Sequence, residues 1–144
     1  LIKSVTDYVF LKDYIENHRE LFPDNLVLIN NMELFSKKLI EFGKIFVFYQ
    51  NNQVPAGLIA GYMNDLNTKK SYISLLFVER EYSKNGIASQ LVKFFEKKAK
   101  EMGMSYLEVK AIKNNDVAVN FYLKNKFLLK DELDNERLLF YKKI

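Results

Sequence analysis

Leu75-Leu76-Phe77-Val78-Glu79-Arg80-Glu81-Tyr82-Ser83-Lys84-Asn85-Gly86-Ile87-Ala88-Ser89-Gln90-Leu91 is the stretch whose reading decides the fold. Leu75 to Val78 is continuously apolar and reads as the end of a buried strand. A short polar loop with one glycine follows, and the apolar period then becomes helical. Ile87, Leu91, Phe94, Phe95, Ala99 and Met102 trace one seam from about Gly86 to Met102, with Gln90, Lys93, Lys97 and Lys100 largely elsewhere and Gly103 closing the helix. A strand that passes through a glycine loop straight into a helix has the geometry of an anion site. Backbone N–H groups at the helix start point outward, and the helix dipole favours negative charge there. Gly86 lets the backbone approach a phosphate with no Cβ in the way, Ala88 is the next smallest choice, and Lys84 adds a positive side chain. An ordinary helix start has the same outline.

Working outward toward the N-terminus, Ser71 to Val78, Val54 to Met63 and Lys44 to Tyr49 read as three strands. The polar turns Gln50-Asn51-Asn52-Gln53 and Asn64-Asp65-Leu66-Asn67 join them, so an antiparallel meander is expected. Before them come a short strand at Leu1-Ile2-Lys3 and two helices. The first is capped by Thr6 or Asp7, carries Phe10, Leu11, Tyr14 and Ile15 at helical spacing, and ends before Pro23. The second is expected from Met32 to Phe42, with Leu34, Phe35, Leu39 and Phe42 as its apolar side and Gly43 as its stop. Toward the C-terminus lie a strand at Ser105 to Val109, a helix at Asn115 to Lys124 and a final strand pair. That pair is Phe127-Leu128-Leu129 with Leu138-Leu139-Phe140-Tyr141, around the turn Asp134-Asn135-Glu136. The order is β-αα-βββ-α-β-α-ββ, a mixed α+β sheet with helices on its faces. No repeat, linker or boundary interrupts it, so residues 1–144 read as one domain.

Composition narrows the chemistry. Of 144 residues, 49% are hydrophobic, enough for a sizeable core. Cysteine is absent, which excludes disulfides, a thiol nucleophile and cysteine-ligated metal sites. The single histidine, His18, cannot build a multi-histidine metal site, so no metal is expected; it sits in the polar run His18-Arg19-Glu20 and reads as a solvated helix-end residue. The net charge of +4 suits an anionic partner but is too small to argue for nucleic acid. Glu96 and Lys100 pair at i, i+4 on what reads as the wet face of a helix. The chain opens on Leu1 rather than Met, the mark of a processed, tagged or truncated form, and nothing near it resembles a signal peptide. Leu26-Val27-Leu28-Ile29, about the longest apolar run near the start, is far short of a membrane span. No membrane partner is expected, and the default location is cytoplasmic.

A second segment supplies the family signal. Asn115-Asp116-Val117-Ala118-Val119-Asn120-Phe121-Tyr122-Leu123-Lys124-Asn125-Lys126-Phe127 places Asn or Asp at a helix cap and sets Ala118 and Tyr122 on one helix face. With the window Ser83-Lys84-Asn85-Gly86-Ile87-Ala88, this resembles the GNAT family of N-acetyltransferases. Its phosphate motif has the form Gln/Arg-x-x-Gly-x-Gly/Ala, and its later signature the form Asn-x-x-Ala-x-x-Phe/Leu-Tyr-x-x-x-Gly-Phe. The element order matches as well. Two positions depart from the pattern: Ser83 stands where Gln or Arg is usual, and Lys126 where glycine precedes the final Phe. Ser83 weakens or removes one pyrophosphate contact, with Lys84 and Asn85 placed to compensate. At Lys126 either the neighbouring Asn125 takes a left-handed conformation or the turn differs.

The resemblance implies a GNAT-like fold, with a central, mostly antiparallel, splayed sheet of about six to seven strands and about four helices on its faces. It implies transfer of an acetyl group from acetyl-CoA, as cosubstrate, to a primary amine of a small molecule or peptide. Backbone at Leu76, Phe77 and Val78 would pair with the pantetheine arm. The segment Ser83, Lys84, Asn85, Gly86, Ile87, Ala88 and Ser89 would hold the pyrophosphate. Asn115 would bond the pantetheine or the acceptor end of the cofactor. A backbone N–H near Phe77 or Val78 would polarise the thioester carbonyl. Tyr122 matches the family's catalytic tyrosine, whose phenol donates to the departing sulfur; on its helix pattern alone it is equally a core aromatic. With no cysteine to carry the acyl group, direct attack by the amine is expected. No general base is assigned: strand four offers Ser71, Tyr72 and Ser74 before Glu79, and Glu108 alternates toward either face. The alternative function is a non-catalytic CoA-binding or sensor domain on the same fold. The acidic turn Asp131-Glu132 to Asp134-Glu136 either attracts a cationic acceptor or is a plain hairpin loop. A homodimer is possible through the aromatic final strand Leu138 to Tyr141.

Overall fold

The computed structural model describes residues 1–19, 25–51 and 53–144. The chain runs β1 (Ile2–Ser4), α1 (Tyr8–Asn17), α2 (Asn25–Phe42), β2 (Lys44–Gln50), β3 (Val54–Tyr62) and β4 (Lys70–Val78), then a 3₁₀ turn (Arg80–Tyr82). It continues through α3 (Ile87–Glu101), β5 (Tyr106–Ile112), α4 (Asp116–Lys124), β6 (Leu128–Glu132) and β7 (Arg137–Lys143). The expected order is therefore observed, and the expected meander is β2, β3 and β4 paired antiparallel. Pro23 and Asn52, read from sequence as a helix end and a turn residue, lie outside the described residues.

All seven strands form one open sheet, in the order β1-β2-β3-β4-β5-β7-β6. Every pairing is antiparallel except β4 with β5, which α3 joins as a parallel crossover. The C-terminal hairpin places β7 between β5 and β6. Both edges of Leu138 to Tyr141 are thus already paired, which corrects the expected dimer strand; the free edge on that side is β6.

Each face of the sheet buries its own core. Ile87, Leu91, Val92 and Phe95 of α3 and Tyr122 of α4 pack with Phe46, Ile59, Ile73, Leu107, Val109, Phe127 and Phe140. On the opposite face, Leu11, Tyr14 and Ile15 of α1 and Met32 and Leu39 of α2 pack with Val47, Leu58, Leu75 and Phe77. α2 begins earlier than expected and bends at Asn31 (φ −139°, ψ 31°), so Met32 to Phe42 is its second limb. Its expected apolar side also needs correction: Leu34 and Phe42 are exposed, while Met32, Ser36 and Leu39 are buried. The i, i+4, i+7 stripe passes through Ser36, and a stripe chosen by apolar identity alone misses it. Met102, placed on the α3 seam, is exposed as well.

A break in β4 controls the centre of the sheet. Ala60 pairs with Leu75 but Gly61 pairs with Ile73, so Ser74 is an extra residue, a β-bulge. Parity changes across it. Ile73 belongs to the α3/α4 core, Leu75 and Phe77 belong to the α1/α2 core, and Leu76 and Val78 pack against the α3/α4 side. The parallel ladder to β5 runs from Lys70↔Tyr106 to Ile73↔Val109 and stops there, although β4 continues to Val78 and β5 to Ile112. The two strands part into a wedge. A Cβ on Gly61 would sit 2.0 Å from the Tyr72 carbonyl oxygen, so this close backbone approach requires glycine.

α4 ends on Lys126 at φ 73°, while Asn125 stays at φ −89°. Of the two alternatives, a left-handed Asn125 or a different turn, the first is not observed: the lysine itself is left-handed. The Phe127 N–H then reaches back to the Tyr122 carbonyl at 3.0 Å, closing the helix.

Two substitutions check this account. Gly61→Ala is expected to lower stability by about 1–3 kcal/mol, as overpacking against fixed backbone does; urea denaturation should show a lower midpoint with an unchanged slope. Lys126→Gly should raise stability by about 0.5–1 kcal/mol, because glycine relieves the left-handed strain at a smaller entropic cost.

Candidate functional site

The wedge between β4 and β5 leads directly to the loop quoted at the outset. The Glu79 N–H donates to the Ala56 carbonyl at 2.8 Å and anchors the end of β4. After the 3₁₀ turn the chain is left-handed at Lys84 (φ 69°) and again at Gly86 (φ 76°), the N-cap of α3. α1 and α4 start under side-chain caps. Asp7 accepts from Val9 N and Phe10 N, and Asn115 Oδ1 accepts from Ala118 N at 3.1 Å. Among the described residues, no side chain caps α3. Its first-turn N–H groups, at Ile87, Ala88 and Ser89, have no intrahelical acceptor, since the first such bond runs from Gln90 N to Gly86 O. A Cβ on Gly86 would meet nothing within 4 Å, so the glycine serves the backbone conformation and the space outside it, not packing. Left-handed backbone, uncapped N–H groups and open approach together fit a pyrophosphate.

Of the residues read from sequence as cradle, Ser83, Lys84, Asn85 and Gly86 are exposed, Ala88 and Ser89 are half-buried, and Ile87 is buried. The Ile87 side chain lies in the core, so only its backbone can face a ligand. The Ser83 hydroxyl donates to the Arg80 carbonyl at 2.8 Å and closes the turn. Leu76 and Val78 are half-buried beside the wedge, whereas the Phe77 side chain is buried on the opposite face.

Tyr122 lies on the α3/α4 side of the sheet, packed edge-on to Phe121 and Phe127. Burial, then the neighbouring Tyr72 phenol, pushes its pKa well above the usual phenol range, so it keeps its proton at neutral pH. Its hydroxyl makes no hydrogen bond among the described residues, and it is not one of the fully enclosed unpartnered atoms. Asn115 spends its carbonyl oxygen on the α4 cap and keeps its amide nitrogen free of partners among the described residues.

The α1 side holds a cluster that sequence reasoning missed. His18 is not a solvated helix end: its ring stacks on Tyr14 at 4.4 Å and on Phe77 at 5.3 Å. Nδ1 lies 2.7 Å from the Tyr14 carbonyl and Nε2 lies 2.5 Å from Glu79 Oε1, which also accepts from the Tyr14 hydroxyl at 3.2 Å. A carbonyl only accepts, so Nδ1 is the donor in the contact with Tyr14, and Nε2 faces the Glu79 carboxylate. The pair clamps the end of α1 to the end of β4, four residues before Ser83. A lone histidine 61 positions from its partner leaves no local pattern to read.

On that same face, β5 and β7 lie beyond α1 and α2. Tyr72, Glu108 and Tyr141 are register partners across β4, β5 and β7, one row before the wedge opens. Glu108 thus points away from the α3/α4 core, which resolves the alternation. Its Oε2 accepts from Lys130 Nζ at 2.6 Å. A cavity of about 600 Å³ is lined here by Lys70, Tyr106, Glu108, Leu129, Lys130 and Tyr141. In the acidic turn near the hairpin tip, Asp134 is paired with Arg137 and Glu132 with Lys113. Among the described residues, no group of three or more metal-ligating side chains occurs, and no helix is long and apolar enough to cross a membrane.

Comparison with known proteins agrees with this arrangement. A family model described as Acetyltransferase (GNAT) family matches residues 9–127. No curated protein sequence matches. Among solved structures, the PaiA N-acetyltransferase from Thermoplasma acidophilum, in complex with coenzyme A, is similar at 18% identity. The similarity has a TM-score of 0.74 and covers 100% of this chain and 99% of that one. The IAA acetyltransferase from Bacillus cereus ATCC 14579 is similar at 16% identity and a TM-score of 0.71, covering 100% and 99%. An aminoglycoside 6'-N-acetyltransferase complexed with coenzyme A is similar at 15% identity and 0.72, covering 99% and 96%. With the family model spanning most of the chain, and with the element order, the wedge and the uncapped α3 all in place, the chain belongs to the GNAT acetyltransferase family.

Proposed function

We propose that the chain transfers an acetyl group from acetyl-CoA to a primary amine of a small molecule or peptide, directly and without an acyl-enzyme. The observation that carries this reading is the left-handed, uncapped start of α3 at the open end of the β4–β5 wedge. Bound acetyl-CoA would supply the acetyl group on a thioester, with its sulfur as the leaving group.

The chain's own residues supply the rest. Backbone N–H groups from Lys84 to Ser89 hold the pyrophosphate, with Lys84 and Asn85 at its edge; Ser83, tied to Arg80, contributes backbone only. Leu76 to Val78, unpaired toward β5, offer strand-like backbone bonds to the pantetheine arm. An N–H near Phe77 or Val78 polarises the thioester carbonyl as the amine nitrogen bonds its carbon. The Asn115 amide nitrogen donates toward the cofactor while its oxygen caps α4. Tyr122 would donate its proton to the sulfur as the carbon–sulfur bond breaks and regain one from solvent; its raised pKa keeps it protonated before the step. The amine's proton passes to solvent through the open face.

The second reading, a CoA-binding domain without turnover, is favoured by Ser83, whose hydroxyl is spent inside the turn where a longer polar side chain is usual. Acetyl-CoA should raise the melting temperature, since it binds only the folded state. Gly86→Glu, with bulk and negative charge at the cradle, should abolish that shift. No shift at millimolar acetyl-CoA with the unaltered chain would sink both readings. Tyr122→Phe separates them: with an acceptor in hand, kcat should fall about 10²-fold or more, as loss of a general acid does, while the acetyl-CoA shift persists. The unaltered enzyme should show no alkaline loss of rate from this phenol up to about pH 10, the ordinary tyrosine value.

A further inference from the structure

We infer that the acceptor is a small acidic amine, one that carries a carboxylate or phosphate a few bonds from its amino group, and that it lies in the Tyr106–Glu108–Tyr141 cavity. This rests on the acetyl-transfer reading above. The cavity lies on the sheet face away from α3 and α4, one to two strand rows before the wedge where the thioester would lie. Row by row, register places Tyr72, Glu108 and Tyr141 nearest the wedge, and Lys70, Tyr106 and Lys143 in the next row back. Successive rows on one face are about 7 Å apart, two residues of extended chain. Flexible lysine and glutamate side chains reaching across one such step can hold the two ends of a molecule whose amino and acid groups are a few bonds apart.

The charges are arranged to match. Glu108 is the only carboxylate among the cavity's lining residues, its side chain is 15% exposed, and Lys130 occupies Oε2 alone. Oε1 has no hydrogen-bond partner among the described residues, and Glu108 stands in the row beside the wedge, so this oxygen is available to an ammonium. Lys130 balances the Glu108 charge, so the surplus in the cavity is Lys70, whose side chain meets that of Lys130 and which forms no ion pair among the described residues. Asp65 lies within electrostatic reach of Lys70, but backbone N–H groups of Asn67 and Thr68 already hold that carboxylate. Lys110 continues the face beside the wedge, its ammonium 5.7 Å from the centre of the Tyr72 ring. By register the face carries Lys70, Lys110 and Lys143 with Glu108 and Asp131, and Lys130 reaches Glu108 from the β6 bulge. Tyr106 and Tyr141 wall the cavity with flat apolar rings that carry no charge. A polycation would meet this surplus as repulsion, and an acidic amine meets one carboxylate at its amino end and lysine at its acid end.

The test is acetyl-CoA turnover with L-glutamate, O-phosphoethanolamine, spermidine and kanamycin as acceptors. L-glutamate or O-phosphoethanolamine should exceed both polycations by about tenfold or more in kcat/KM, and the better of the two tells carboxylate from phosphate. Lys70→Glu should raise the KM of the preferred acid amine about tenfold with little change in kcat, and leave the acetyl-CoA melting shift intact. Lys97→Glu, the same charge change on the outer side of α3, should leave both unchanged. A preference for spermidine or kanamycin, or an unchanged KM in Lys70→Glu, overturns the acceptor class. So does an acetyl-CoA melting shift with no turnover of either acid amine, and in that case the cofactor reading stands. No acetyl-CoA shift at all overturns the acetyl-transfer reading and the acceptor class with it.

Discussion

The approach of Gly61 to the Tyr72 backbone, and the extra residue Ser74 that it accommodates, is the constraint on which the site depends. A side chain at position 61 would collide with a carbonyl oxygen of the next strand. With glycine there, β4 bulges at Ser74, its side chains exchange faces, and its ladder to β5 ends within a residue of the bulge. Sheets lose a ladder only at a cost in unpaired backbone. That cost is borne here where an extended ligand arm can make the missing bonds.

The elements on either side of the wedge are placed by separate cores, one beneath α3 and α4 and one beneath α1 and α2. Gly57 lets α3 start close against β3, with Ile87 and Leu91 within 3.2 Å of the place a Cβ would occupy. This seats the uncapped helix start at the end of β4. On the other face, the His18–Glu79 pair and the Phe77 ring hold the end of α1 to the same strand end. The loop before α3 and the end of α1 therefore meet at one point, the end of β4.

Legibility in the sequence followed the range of the interactions. The apolar run into Val78, the helical seam after Gly86 and the Asn115-to-Tyr122 spacing are local patterns, and each element they predict is present. The α2 stripe was misread because Ser36 occupies a buried position that hydrophobic identity does not mark. His18 looked solvated because its neighbours in the chain are polar, while its actual neighbours, Phe77 and Glu79, come from a strand 59 and 61 positions away. Glu108 was legible as a candidate but not as to face, since a strand's alternation tells which residues share a side and not which side it is.

By itself the sequence determined the order of elements, the glycine loop between a buried strand and a helix, and the absence of any thiol, because propensity, periodicity and composition are properties of neighbouring residues. Only the tertiary structure decided where β4 and β5 part, which face Glu108 and Tyr141 present, and that β7 is enclosed between β5 and β6 instead of forming an edge. Those outcomes are set by register between strands distant in the chain, and a single-residue slip, such as the one at Ser74, exchanges every face beyond it.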